Sequence, residues 1–463
     1  MIPALLLAAA ATTGIVEETK SLPGFGVTHV YRPADLHRAR GVVLFVSGDG
    51  GWNLGVVDMA RRVAPRAIVA GISMPAWQKR VESLPSKCWY PAGELETAGQ
   101  ALEKLYHLPA YTPPVLVGYS SGATVVYGAL AQAPPTTFAG AVSLGFCPDL
   151  EVARSFCGKK DWKPTYDTKK HIGMLPTAKD LERRPDGKPR WIALQGTIDQ
   201  VCEPRGTVEF VREVPGGEVV SLEHVGHGFS VPARWGAAFD RAVDAMLSSG
   251  SVAEAPPAPA TPLGDLGLPL EVLWPDSPRA VVIFLSGDGG WAELDASVSR
   301  GLSERGIAVV GWNALRYFWS EKTPEIVARD LERIRAALPR DLPIFAGGYS
   351  FGAEVMPVIA KRLAEGIAGL VLVAPSRYAT FEVSPLDWVR SHAAESEHPV
   401  PPAIAAVSPT PVLCLAPSED GDTGCPKAGP DGYERGEIPG GHHFGGAYEE
   451  LAARIAAFVD RRL

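Results

Sequence analysis

Nowhere in the 463 residues does an uninterrupted apolar run approach the roughly twenty that a membrane-crossing helix needs. Basic residues are not gathered into a stripe. Lys and Arg total 44 against 52 Asp and Glu, a formal net charge of -8, and that balance disfavours binding along a nucleic-acid backbone. Cysteine is scarce, with only Cys88, Cys147, Cys157, Cys202, Cys414 and Cys425. No C-x-x-C pair and no Cys/His spacing of a zinc site occurs among them, so neither a metal nor a cofactor is indicated. The Gly-rich loops carry neither G-x-G-x-x-G nor G-x-x-x-x-G-K-[ST], which weakens a nucleotide-phosphate reading of them.

What is present is organised as a leader, a duplication and a connector. The opening "MIPALLLAAAATTG" suits the apolar core of a secretory signal, with Ala8 to Ala11 offering a cleavage site, although Lys and Arg are missing from its start. The stretch "SSGSVAEAPPAPATPLG" (248–264) has no hydrophobic period and reads as a linker. The expected division is a leader over 1–19, a first domain over 20–247, the linker over 248–264 and a second domain over 265–463. In an oxidising compartment Cys414–Cys425 is the easiest disulfide to propose and Cys147–Cys157 the next, with buried free thiols as the other reading.

Both halves repeat one order of features. An apolar strand (Val42–Val46; Val281–Leu285) runs into "SGDGGW", and a helical stretch and a second strand follow. A third strand ends in "GYSSGA" (118–123) or "GGYSFGA" (347–353), and a His-containing loop precedes the last helix. Short continuous apolar strands alternating with helical patterns predict parallel sheets covered by helices on both faces. The expected fold is therefore α/β, as two tandem domains of one plan.

Gly-x-Ser-x-Gly by itself is a weak signal, but each copy closes a strand and opens a helix, as a nucleophile elbow must. Ser350 and Ser120 are the candidate nucleophiles. A serine hydroxyl needs a base, and the base needs an acid to hold its tautomer. Following the chain order Ser, acid, His, the acid is read as Asp420 in "CLAPSED" and Asp199 in "ALQGTID", with Asp422 and then Glu419 as rivals in the second half. The base is read as His442 in "PGGHHFGG", with His443 flanking it, and as His227 in "VGHGFS". The oxyanion donors are expected from the N–H after the nucleophile, Phe351 or Ser121, and from the Gly-rich loop, Gly287, Asp288 and Gly289. Asp288 and Asp49 could instead orient that loop or place negative charge near a cationic substrate.

The segments "LSGDGGW" (285–291), "ALRYFWSEKTPEIVARDL" (314–331), "GGYSFGAEVMPVIAKRL" (347–363), "LCLAPSEDGDTGC" (413–425) and "IPGGHHFGGAYEELA" (438–452) make the second half resemble the VirJ/AcvB family of bacterial periplasmic proteins. The first half resembles it more distantly, with Thr124 where Glu354 stands. The resemblance implies α/β-hydrolase domains, export to the periplasm and hydrolysis of aminoacylated phosphatidylglycerol, typically the lysyl form, at the membrane surface. It also brings a link to type IV secretion components. The other readings left open are a carboxylesterase for another ester, and a secretion accessory protein with a vestigial triad. For a cationic lysyl group, Glu354 and Asp288 are expected acidic neighbours, against Glu354 as a first-turn helix residue. Tyr317, Phe318, Trp319 and Trp291 are expected either at a lipid-facing mouth or in the core.

Overall fold

The computed structural model describes residues 14–84, 86–159, 161–250, 263, 266–362, 367–384, 398–421 and 423–463. Most of the leader, most of the linker and Asp422 lie outside the described residues. The chain divides into two compact units, Met1–His107 with Thr112–Ala253, and Leu108–Tyr111 with Glu254–Leu463.

In the first unit the strands are β1 (Ile15–Leu22), β2 (Gly26–Pro33), β3 (Val42–Val46), β4 (Ile68–Ile72), β5 (Val115–Tyr119), β6 (Gly140–Leu144), β7 (Asp149–Glu151), β8 (Thr165–Asp167), β9 (Ile172–Met174), β10 (Trp191–Gly196) and β11 (Gly217–Leu222). Eight of them form one sheet in the order β1-β2-β4-β3-β5-β6-β10-β11, and β7, β9 and β8 form a small separate sheet. Because β1 starts at Ile15 and pairs with β2 along its whole length, a leader ending at 19 would cut through this strand. The helix Pro232–Gly250 likewise runs past the expected linker start at 248.

The second unit holds β12 (Leu270–Leu273), β13 (Ala280–Leu285), β14 (Ile307–Trp312), β15 (Ile344–Tyr349), β16 (Gly369–Val373), β17 (Val412–Pro417) and β18 (Tyr433–Ile438). Their order, β12-β14-β13-β15-β16-β17-β18, repeats that of the first unit from β2 onward, once the small sheet is set aside. All neighbours pair in parallel except the antiparallel edge, β12 on β14. Right-handed crossovers of parallel strands place helices on both faces, and the strand residues divide accordingly. Val281, Ile283, Leu285 and Val310 pack with the helices Pro324–Ala336 and Phe351–Ala360. Val282, Phe284 and Val309 pack on the other face with Glu293–Ser303 and Tyr448–Asp460. Burial on both faces explains why these strands read as unbroken apolar runs.

All six cysteines are paired, as Cys88–Cys157, Cys147–Cys202 and Cys414–Cys425. Cys414–Cys425 is the pair expected first, whereas Cys147–Cys157 is not formed. Trp89 donates to Ser155 O, and Cys157 donates back to Trp89 O, so the inserted segment docks beside Cys88. Cys147, at the end of β6, faces the loop after the neighbouring strand β10 and its Cys202. Among the described residues no helix is long and apolar enough to cross a membrane, and no cluster of His, Cys, Asp and Glu could hold a metal.

Candidate active site

The site of the second unit is assembled at the C-terminal ends of β13, β15 and β17. Strand β15 turns into the helix Phe351–Ala360 through Ser350, whose backbone takes φ 50° and ψ -116°. A non-glycine residue in that region is strained by one to three kcal/mol, roughly. The turn is sharp enough that Gly348 and Gly352 both lie against the carbonyl of Leu285, where added Cβ atoms would stand 2.4 and 2.1 Å from its oxygen. This accounts for both glycines of Gly-x-Ser-x-Gly.

The Ser350 hydroxyl meets His442 Nε2 at 2.8 Å, and His442 Nδ1 meets Asp420 Oδ2 at 2.8 Å. With the Nδ1 proton on the Asp420 side, Nε2 is left free to accept the serine proton. Asp420 sits in the loop after β17, whose Ser418 and Glu419 N–H groups donate to Ile438 and Gly440 of the strand and loop that lead to His442. Glu419, the third-ranked acid, is exposed at this loop. Cys414–Cys425 closes the same segment.

The first unit repeats the arrangement. Ser120 takes φ 54° and ψ -124°. His227 Nε2 lies 2.9 Å from Ser120 Oγ, and His227 Nδ1 lies 2.9 Å from Asp199 Oδ2. Asp199 is better enclosed than its counterpart: its side chain is 0% exposed, against 25% for Asp420.

The Gly-rich loops abut these serines. A Cβ on Gly287 would stand 3.8 Å from Ser350 Cβ, and one on Gly48 would stand 2.9 Å from Ser120 Cβ. Each loop is a tight turn, closed by Gly290 N–H to Gly287 O and by Gly51 N–H to Gly48 O. The fourth residue, Gly290 or Gly51, needs glycine because its φ is 78° or 74°. Asp288 is half-buried, and Gly289 is exposed at the turn's tip. Phe351 is the first residue of its helix, a position whose N–H has no intrahelical acceptor.

Two positions that the motifs did not single out hold these parts in place. Ser286 is fully buried; its hydroxyl donates to Gly287 O and accepts from Ala314 N–H, and Ser47 does the same with Gly48 and Met74. Tyr349 donates to His442 O and meets His443 Nδ1, as Tyr119 donates to His227 O. The signal available in the sequence was that each residue recurs at the same place in both halves. Burial lowers the His443 pKa, with the neighbouring His442 adding to the effect.

Of the two places expected for the aromatic residues, the core is where Tyr317, Phe318 and Trp319 lie. The Tyr317 hydroxyl donates to Asp330 on a core-facing helix. Trp291 is only partly exposed and packs over Gly311 of β14, so closely that a Cβ there would stand 2.2 Å from its ring; Trp52 covers Gly71 in the same way. Glu354 is buried as well, and accepts from the Ser376 N–H in the loop after β16. Thr124 at the equivalent place donates to Cys147 O.

Parallel sheets of one strand order, a strained serine between strand and helix, and acid and His following it in the chain define each unit as an α/β-hydrolase domain. The model of the bacterial virulence protein VirJ matches residues 279–463, so the second unit is similar to that family over those residues. No curated protein matches the chain. Among solved structures it is similar to TT1662 from Thermus thermophilus (22% identity, 42% of this chain and 94% of that one, TM-score 0.32). It is also similar to a putative dienelactone hydrolase from Klebsiella pneumoniae (16%, 51% and 99%, 0.34) and to Est1E from Butyrivibrio proteoclasticus (14%, 41% and 94%, 0.30).

Proposed function

We propose that the protein is a periplasmic serine hydrolase that cleaves the aminoacyl ester of aminoacylated phosphatidylglycerol, chiefly the lysyl form, with Ser350 as nucleophile, His442 as base and Asp420 as acid. The observation that carries this reading is the Asp420–His442–Ser350 relay set among acidic side chains. Asp288 lies in the loop against Ser350, Glu419 is exposed beside Asp420, and Asp288 and Glu293 both act on His443. A cationic aminoacyl group gains from such surroundings, while an anionic acyl group is repelled. Three disulfides support an oxidising compartment, which is where a lipid headgroup on the outer face of a membrane would be met.

In this reading Ser350 Oγ adds to the aminoacyl carbonyl as its proton passes to His442 Nε2. The N–H groups of Phe351 and of the 287–289 loop receive the oxyanion. Collapse releases phosphatidylglycerol, whose glycerol oxygen takes the proton back. Water then repeats the sequence on the acyl-enzyme and frees the amino acid.

The test is to incubate the purified chain with vesicles of lysyl-, alanyl- or unmodified phosphatidylglycerol and weigh the products. Free lysine and phosphatidylglycerol are expected from wild type, and neither from Ser350→Ala. Wild type that releases no amino acid, or Ser350→Ala that releases it undiminished, overturns the proposal.

A further inference from the structure

The first unit carries a complete relay, yet its surroundings differ chemically from those in the second. From these differences we infer that the Ser120 site is a second hydrolytic centre, specific for carboxylic esters whose acyl group is uncharged and apolar.

The relay is held more tightly than a decayed copy requires. Asp199 Oδ1 accepts from the Val201 and Cys202 N–H groups at 2.8 and 2.9 Å, and Oδ2 accepts from Gln195 Nε2 at 3.2 Å besides meeting His227. Together these bonds hold the carboxylate in place against His227, where it orients the imidazole. Cys147–Cys202 fixes this loop to the end of β6. Ser120 keeps the strained left-handed backbone of an elbow, a conformation with no structural use once the hydroxyl has nothing to attack. The loop with Gly48 presses against Ser120, as its twin presses against Ser350.

What changes is the border. Around the acid, the second site has Glu-Asp-Gly-Asp (419–422) where the first has Ile-Asp-Gln-Val (198–201). Ile198 and Val201, on the loop that carries Asp199, are 55% and 68% exposed and present apolar side chains to solvent there. Thr124 replaces Glu354, and its hydroxyl is committed to Cys147 O. Asp49 is exposed in the Gly-rich loop. An apolar acyl group covers Ile198 and Val201 and gains from their removal from water, whereas a lysyl group would leave its ammonium beside them.

The chemistry balances without a cofactor. Ser120 Oγ bonds to the ester carbonyl carbon, and its proton moves to His227 Nε2. The C–O bond to the alcohol breaks, and the alcohol oxygen leaves with that proton. Water, deprotonated by His227, then cleaves the acyl–Ser120 bond and yields the free acid.

The experiment uses the full chain as wild type, Ser120→Ala, Ser350→Ala and the double variant. Two probes are used: p-nitrophenyl butyrate and the p-nitrophenyl ester of lysine. Butyrate-ester turnover is expected to fall at least about a hundredfold in Ser120→Ala, and the turnover that Ser350→Ala retains is expected to vanish in the double variant. The lysyl ester reverses the pattern if the proposed function holds, and loss of that arm alone touches Ser350 only. Ile198→Glu with Val201→Asp is expected to raise KM for the butyrate ester about tenfold at unchanged kcat, with the melting temperature recording that the unit stays folded. A fluorophosphonate probe should label Ser120 in the Ser350→Ala chain, located by peptide mass. The inference is overturned if no butyrate ester is cleaved. It is overturned equally if Ser120→Ala keeps the activity, if Ser120 takes no label, or if the double substitution at 198 and 201 leaves KM unmoved.

Discussion

Gly352 lies so close to Leu285 that a Cβ on it would stand 2.1 Å from the Leu285 carbonyl oxygen. That contact locks the end of β13, and therefore the Gly-rich loop after it, to the first turn of the helix after Ser350. Backbone oxygen cannot withdraw as a flexible side chain can. Gly352→Ala should cost more than about 3 kcal/mol and remove hydrolysis with it. Gly289→Ala, three residues along the same loop system from Ser286 and with nothing within 4 Å of its Cβ position, should melt within about 1 kcal/mol of wild type. Thermal unfolding of the two variants side by side checks the contrast; equal losses would refute the proposed lock.

Ser350 is held at φ 50°, where glycine is at ease and other residues are not. Ser350→Gly removes about 1–3 kcal/mol of strain and adds about 0.4–1 kcal/mol of freedom to the unfolded chain, so the relief is the larger effect. Ser350→Ala removes the hydroxyl and keeps the strain. Both variants should be inactive at this site, and the glycine variant should be the more stable by about 1 kcal/mol. Denaturant unfolding reads the difference, and an alanine variant as stable as the glycine one would mean that the elbow stores no strain.

The elbows, the His loops and Asp420 were legible in the sequence because the residues that carry them are fixed by order along the chain and by glycine spacing. The alternation of short apolar strands also revealed the parallel sheets. What was hidden depends on crossovers. Nearness in sequence pairs Cys147 with Cys157, but the sheet sets β6 beside β10, and Cys147 reaches Cys202 instead. Tyr317, Phe318, Trp319 and Trp291 are amphipathic or aromatic residues near motif positions, and composition cannot distinguish a ring over a glycine on the next strand from a ring at a pocket mouth. Only the pairing of β13 with β14 places Trp291 over Gly311.

Tyr349 connects the elbow to the His loop through its hydroxyl, 3.2 Å from His442 O and 3.1 Å from His443 Nδ1. Burial holds that phenol well above its ordinary pKa, so it remains a donor across the working pH range. Tyr349→Phe removes both contacts of the hydroxyl and almost no volume, worth about 1–2 kcal/mol. If the bond positions the imidazole, kcat should fall threefold to tenfold with KM unchanged. A change confined to the melting temperature would assign Tyr349 a purely structural role.

Asp295 is buried beside the Gly-rich loop, with Oδ2 accepting the Ala292 N–H and Oδ1 without a hydrogen-bond partner among the described residues. The matching place in the first unit is the apolar Val56. Burial pushes the Asp295 carboxyl up to about 7, and the charge of Asp288 adds to this; the phenols of Tyr349 and Tyr448 face it from the elbow and the last helix. The folded protein therefore keeps a proton that the unfolded chain releases near 3.8. Wild-type stability should accordingly fall by up to about 1.4 kcal/mol per pH unit between pH 4 and 7 on this account, and level off above. Asp295→Asn stays neutral and still accepts from Ala292. Its stability relative to wild type should thus climb across that window and remain constant from pH 7 to 9. Urea unfolding of both proteins at intervals of one pH unit measures the difference. A difference that stays flat from pH 4 to 7 would show that Asp295 is ionised in the folded state throughout.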